Sequence, residues 1–312
     1  MPVYAGLEMG GTKTIAVLGE PGAIRERVEF PTKSPEVTLA RAADIIAGWH
    51  EQEPILALGV ASFGPVRLSP QSPDYGTILD TPKPGWRGTS VLGALKAGFA
   101  GPMAIDTDVN AAALAEFELG AGRNADALVY ITIGTGVGGG VLIDGKALHG
   151  QLHPEIGHMR LRRDPTDSFA GVCPYHGACI EGLISGPAIH ARFGIPPGDV
   201  RPDDPRWVPV ASDLAELLAN LLLALSPDKI VVGGGVTMRQ PHLLRSAIAR
   251  LPERLGGYLG TVDAAALQTR IVLPQLGDDA GPNGSLCLAR SCTERAIRSG
   301  DNSHRSPGPP SR

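Results

Sequence analysis

A strand, a turn rich in glycine and threonine, and a returning strand occur twice in this 312-residue chain, about 120 residues apart. In the first copy Val3 to Glu8 leads through Gly10-Gly11-Thr12 into Thr14 to Leu18. In the second, Leu128 to Ile133 leads through Gly134-Thr135-Gly136-Val137-Gly138-Gly139-Gly140 into Val141 to Ile143. A duplication of this kind predicts two related α/β domains facing one another across a cleft.

The flanking patterns fill in each half. A third strand, Ile24 to Phe30, makes the first copy an antiparallel meander, followed by helical periodicity over Val37 to Trp49 and a buried strand at Ile55 to Val60. A loop rich in Pro, Gly and Ser runs through Trp86, before a helix near Val91 to Phe99 and a strand at Met103 to Ile105. The second half opens on the helix formers Asn110 to Glu116. After its hairpin come a helix over Ser212 to Leu225, a strand at Lys229 to Val232 ending in Gly233-Gly234-Gly235, a helix near Leu243 to Leu255, a strand at Ile271 to Pro274 and a helix over Gly284 to Ile297. The expected domains are 1–109 and 110–298, with the last helix, about 284–298, packing back on the first, and a disordered tail over 299–312.

Composition narrows the partners. Hydrophobic content of 43%, charged content of 19% and a net charge of −4 lack the basic excess that draws a chain to nucleic acid or anionic membrane, so small molecules are expected instead. The apolar stretch Leu214 to Leu225 carries Glu216 and Asn220 and soon meets Pro227 and Asp228, which predicts a buried amphipathic helix too short to cross a bilayer. Met1 to Gly6 has no basic segment followed by an apolar one, so no secretory signal is expected and the cytoplasm is the expected location. Four cysteines are too few for a disulfide framework, which turns attention to metal binding or packing.

Gly134-Thr135-Gly136-Val137-Gly138-Gly139 has glycines at the first, third and sixth positions of a dinucleotide fingerprint. That fingerprint opens a helix, whereas Val141-Leu142-Ile143 is a strand closing a hairpin. Gly10-Gly11-Thr12-Lys13-Thr14 lacks Walker A spacing and also enters a strand. Each tip alone is an ordinary glycine turn; as a pair at corresponding places, with hydroxyls on Thr12 and Thr135, they suit the phosphates of a nucleotide. Gly233-Gly234-Gly235 follows a buried strand and suits backbone approach to a flat ligand such as adenosine.

Together these residues resemble the ROK kinases, a branch of the actin/hexokinase-like ATPase superfamily, over nearly the whole chain to about Ile297. Gly10-Gly11-Thr12-Lys13 resembles the first phosphate motif, Asp106-Thr107-Asp108-Val109-Asn110 the catalytic motif, Gly134-Thr135-Gly136 with its neighbours the second phosphate motif, and His153-Pro154-Glu155-Ile156-Gly157-His158 the sugar-and-zinc motif. Ser62-Phe63-Gly64-Pro65, Thr81-Pro82-Lys83-Pro84-Gly85-Trp86 and Thr107-Asp108-Val109-Asn110 resemble the fructokinase subgroup. Glu8 stands where the superfamily usually has an Asp near magnesium, and the usual three-cysteine zinc loop is altered to Cys173-Pro174-Tyr175-His176-Gly177-Ala178-Cys179.

The resemblance implies two ribonuclease-H-like domains and ATP-dependent phosphorylation of a hexose, with D-fructose preferred. It implies ATP contacts at Gly10, Gly11, Thr12, Lys13, Gly134, Thr135, Gly136, Gly233, Gly234 and Gly235, and sugar contacts at Gly64, Pro65, Thr107, Asp108, Glu155, His158 and Glu181. Asp108 is expected as the base near the attacking hydroxyl, though an Asp between strand and helix is also a common cap. His158, Cys173, His176 and Cys179 offer the two nitrogens and two sulfurs that tetrahedral structural zinc accepts; free surface thiols or a Cys173–Cys179 disulfide are the competing readings. Glu8 is assigned to magnesium, and a homodimer is expected from the family. Glucose, mannose or an amino sugar could replace fructose, since one hydroxyl's position separates them. A sugar-responsive repressor would carry an N-terminal helix-turn-helix where this chain opens on a strand. A zinc hydrolase would need an open metal position and a helical His-Glu-x-x-His pair.

Overall fold

The computed structural model describes residues 2–260 and 263–302. The chain divides into two compact units, residues Met1–Ala111 with Gly281–Arg312, and Ala112–Ala280. The first contains β1 (Tyr4–Met9), β2 (Lys13–Glu20), β3 (Ala23–Pro31), α1 (Pro35–Gln52), β4 (Leu58–Ser62), α2 (Val91–Leu95) and β5 (Met103–Thr107). From β5 the chain enters α3 (Asp108–Leu119), within which it passes into the second unit. There follow β6 (Ala127–Ile133), β7 (Val137–Ile143), β8 (Lys146–Ala147), a 3-10 turn at Ile156–His158, α4 (Ile180–Ile184), α5 (Gly186–Phe193), α6 (Trp207–Leu225) and β9 (Lys229–Gly233). The second unit continues with α7 (Gly235–Arg239), α8 (Pro241–Ile248), α9 (Leu251–Leu255), α10 (Ala264–Arg270) and β10 (Ile271–Val272), before α11 (Ala280–Asn302) returns the chain to the first.

The duplication is explicit in the sheets. The first orders its strands β3-β2-β1-β4-β5 and the second β8-β7-β6-β9-β10, one and the same topology. In each, three antiparallel strands form a meander, the first of them pairs in parallel with a fourth strand, and that strand pairs in parallel with a fifth. Buried apolar runs such as Tyr4–Met9 and Leu58–Ser62 are what a sheet covered on both faces requires.

Four boundaries differ from the sequence reading. The second hairpin's turn is only Gly134 to Gly136; Gly138, Gly139 and Gly140 lie within β7, paired with Thr132, Ile131 and Tyr130. Glycine is needed at Gly139 because a Cβ there would sit 2.7 Å from Ile156 Cδ1. The helix expected over Leu243 to Leu255 is two helices, because Pro252 supplies no N–H to continue the first. The helix expected from Ser212 starts at Trp207 and has 19 residues, long and apolar enough to cross a membrane by length and composition. Most of it is buried in the second unit's core, where Leu214, Leu217, Leu218 and Leu221 pack. The last helix reaches Asn302, and the rest of the tail expected to be disordered lies outside the described residues.

Candidate functional site

Parallel pairing fixes what emerges at one end of the first sheet. Met9 registers with Ser62, and Ser62 with Thr107, so β1, β4 and β5 end side by side. The residues that follow are Gly10, Phe63-Gly64-Pro65 and Asp108, on neighbouring strands about 4.8 Å apart. The carboxyl end of adjacent parallel strands is where α/β folds bind ligands, because the loops there are free of sheet pairing.

The first tip is a closed turn. Gly10 N–H donates to the Lys13 carbonyl at 2.9 Å, and Thr32 clamps it by donating its hydroxyl to the Gly10 carbonyl and its N–H to the Thr12 carbonyl. Thr32, on the strand-leaving segment after β3, was not singled out in the sequence. Lys13, expected at ATP, pairs with Glu29 across the β2–β3 ladder at 3.4 Å, both side chains half exposed. A second lysine reaches the tip: Lys83, whose Nζ donates to the Gly11 carbonyl.

Asp108 opens α3 and is half-buried; its Oδ1 accepts from Val109 N–H at 2.9 Å. The helix cap itself is Thr107, whose hydroxyl accepts from Asn110 N–H at 3.1 Å. Thr107 is 2% exposed, and its hydroxyl supports the helix start. Asp106 accepts from Asn110 Nδ2 and Thr107 N–H, each at 2.7 Å, and locks the turn further. Glu8 lies against the first turn of α11: a Cβ on Gly281 would fall 2.3 Å from Glu8 Oε1, so only glycine allows that approach. A carboxylate at that helix start is favoured by the backbone dipoles.

The second unit repeats the arrangement. Thr132 registers with Gly233, so the Gly134–Gly136 tip and Gly233-Gly234-Gly235 leave the adjacent ends of β6 and β9. The N-terminus of α5 joins them, with Gly186 N–H on the Gly134 carbonyl at 2.7 Å. Glu181 Oε2 accepts from Val137 N–H at 3.1 Å, tying α4 to this tip. Glu155 is exposed, 3.5 Å from the buried His153 ring, and its carbonyl holds His158 N–H.

His158, Cys173, His176 and Cys179 place their donor atoms within 4.8 Å of one another. His158 Nδ1 is 3.8 Å from Cys173 Sγ and 3.7 Å from Cys179 Sγ, and His176 Nδ1 is 3.8 Å from Cys173 Sγ. A tetrahedron with metal–sulfur bonds of about 2.3 Å and metal–nitrogen bonds of about 2.0 Å has edges of roughly 3.3 to 3.8 Å, so the donor set fits an ion such as zinc. Burial pushes the Cys179 thiol up to about 11. Both cysteines are free thiols. The knuckle between them closes by paired bonds between Cys173 and Gly177, and Cys179 is the residue from which α4, and hence Glu181, begins.

A charged cluster holds the loop that leads to Cys173. Arg192 makes paired bonds to Asp167 at 3.1 and 2.9 Å and one to Asp213 at 3.1 Å, with its guanidinium 4.2 Å over the Phe169 ring. Arg163 adds a bond to Asp167 at 2.7 Å. Burial opposes ionisation of Asp167, yet the hydrogen bonds from Arg192 and Arg163 hold its carboxyl at about 2. Burial dominates at Asp213, which receives a single bond from an arginine already shared, and pushes its carboxyl up to about 6. Asp167 therefore contributes stability above about pH 4 that is lost as pH falls toward 2, whereas ionising Asp213 costs stability as pH rises from about 4 to 6. Urea titrations should show unfolding free energy falling by about 2 kcal/mol over that second interval, and Asp213→Asn should flatten it. An unchanged slope in the variant would assign the effect elsewhere.

The ROK family model matches residues 4–292. The chain is 42% identical to a fructokinase of Zymomonas mobilis over 92% of this chain and 96% of that one, and 39% identical to a fructokinase of Pediococcus pentosaceus over 93% and 98%. A crystal structure of a ROK family glucokinase from Streptomyces griseus in complex with glucose and AMPPNP superposes with a TM-score of 0.71 at 25% identity, over 93% of this chain and 99% of that one. With two copies of one sheet topology, a glycine tip in each and full-length kinship to these proteins, the chain belongs to the ROK family.

Proposed function

We propose that this chain is an ATP-dependent fructokinase, transferring the γ-phosphoryl group of ATP to D-fructose to give fructose 6-phosphate. The observation that carries the reading is the convergence of the Gly10-Gly11 tip, Gly64-Pro65 and Asp108 at the ends of three adjacent strands. Phosphoryl transfer needs little covalent help from a protein; it needs an aligned hydroxyl, a nearby carboxylate and neutralised phosphate charge. Asp108 takes the hydroxyl proton as the new O–P bond forms and the bond to ADP breaks. Backbone N–H groups of the two tips, with Thr12 and Thr135, hold the phosphates, and Gly233-Gly234-Gly235 admits the adenosine.

Glu155, His158 and Glu181, with Gly64 and Pro65, are assigned to the sugar hydroxyls. Zinc bound by His158, Cys173, His176 and Cys179 would be structural, leaving the His158 proton on Nε2 as a fixed donor. Magnesium supplies charge neutralisation on the phosphates, with Glu8 assigned to its water shell.

The glucose held by the Streptomyces griseus relative favours a second reading, the same reaction on glucose. A coupled ADP-release assay with magnesium and ATP, run across fructose, glucose, mannose and N-acetylated hexosamines at equal concentration, separates them. Turnover confined largely to fructose is the expected result. Comparable turnover on glucose or mannose would move the substrate, and silence on every sugar would leave a sugar-binding protein without catalysis.

A further inference from the structure

The geometry points to Lys83 as a cation that contacts the terminal phosphate of ATP at the point of transfer, a role resting on the kinase reading above. Three observations within the first unit converge on this side chain. Its Nζ donates to the carbonyl of Gly11, in the middle of the first tip. That ammonium stands 5.5 Å over the ring of Phe63, the first residue beyond β4, whose N–H is bonded to the Met9 carbonyl at 2.9 Å. Lys83 thus spans the ends of β1 and β4, between the tip assigned to phosphate and Gly64-Pro65 assigned to sugar.

The side chain is held there by its surroundings. Pro82 and Pro84 flank it and restrict the backbone on both sides. Three residues on, Trp86 is fully buried, edge-on to Phe63 at 5.0 Å, with its indole N–H on the Lys33 carbonyl at 3.1 Å and its backbone N–H on the Lys83 carbonyl. An anchored turn loses little further freedom when Lys83 meets a ligand, so its ammonium is preorganised.

A phosphate is the ligand that this setting favours. A backbone carbonyl is a weak, neutral partner for an ammonium, and a phosphate oxygen arriving at the tip replaces it with a full charge pair. Burial lowers the Lys83 ammonium from its ordinary value, so an anion restores stabilisation that the fold has removed. The tip's own Lys13 is engaged with Glu29 on the neighbouring strand. During transfer Lys83 remains an ammonium and no bond to it forms or breaks. The fructose oxygen gains phosphorus, ADP keeps the electron pair of the broken P–O bond, and the hydroxyl proton goes to Asp108.

The test uses the full chain with Lys83→Met, which keeps the stem over Phe63, and Lys83→Arg, which keeps the charge. Rates are measured with MgATP and fructose varied separately, and MgATP, MgADP and fructose binding are titrated by calorimetry. Lys83→Met should lower kcat/KM for ATP about 10²-fold, weaken MgATP more than MgADP, and leave fructose affinity within twofold. Lys83→Arg should recover at least a tenth of the loss. Equal weakening of MgATP and MgADP, a loss confined to fructose affinity, or rates within threefold of the parent would each overturn the role. If Lys83→Met fails to fold, Lys83→Gln replaces it under the same criteria. Failure of the parent chain on every sugar would sink the kinase reading separately, and the nucleotide titrations would still decide whether Lys83 reads the third phosphate.

Discussion

Asp108→Asn is expected to lower kcat with fructose and ATP about 10³-fold, within the range that a positioned base contributes, while both substrates still bind. The substitution preserves size and removes the proton acceptor. Its effect on folding should be small, because the α3 cap is the Thr107 hydroxyl on Asn110 N–H, not the Asp108 carboxylate. What is lost is the favourable charge at the helix start, about 0.3–1 kcal/mol. Thr107→Ala provides the contrast: it should cost about 1 kcal/mol of stability as a lost cap, with a smaller fall in rate. Calorimetric titration of fructose and MgATP into Asp108→Asn, with steady-state rates, checks both halves. Residual activity within tenfold of the parent would remove Asp108 from the base role.

Removal of the metal is the second large effect. Purified chain should carry one zinc per molecule by elemental analysis, and Cys179→Ser should abolish that occupancy. Fructose affinity should then fall at least tenfold, since losing the ion frees both His158 and the start of α4, and Glu181 is the second residue of that helix. Because Glu181 also accepts from Val137 N–H beside the second tip, MgATP affinity should fall in parallel. Thermal unfolding should drop as well, because ion binding by a site absent from the unfolded chain is itself folding free energy. Metal-free protein with unchanged fructose affinity would show that the ion, if bound, does not position the sugar groups.

The residues assigned to chemistry were legible in sequence where local rules govern them. Glycine between apolar runs marks both hairpins, an acid between strand and helix marks Asp108, and the spacing of Cys173, His176 and Cys179 marks a donor cluster. Boundaries were less legible. Gly138 to Gly140 read as turn because glycine weakens strands, yet the ladder continues through all three, and at Gly139 Ile156 leaves no room for a side chain.

Other features had no local signal at all. Lys83 reaches Gly11 across 72 positions, Thr32 clamps Gly10 across 22, and Glu181 meets Val137 across 44. Asp213 lies in an apolar helix, and nothing beside it in the chain announces Arg192, 21 residues earlier. The Lys83 pairing exists because β4 lies beside β1, and the Glu181 pairing because α4 follows directly from Cys179.

By itself, then, the order of residues determined the duplicated strand–turn–strand plan, an acid placed between strand and helix at Asp108, and the Cys173-His176-Cys179 run of a donor cluster, since each depends on neighbours within a few residues. Only the tertiary structure decided that the Thr107 hydroxyl caps α3, that Lys83 reaches the Gly11 carbonyl, and that Glu181 accepts from Val137 N–H beside the second tip. Those outcomes depend on which strands pair and in what register, and pairing is settled by burial of whole faces rather than by any short run of sequence.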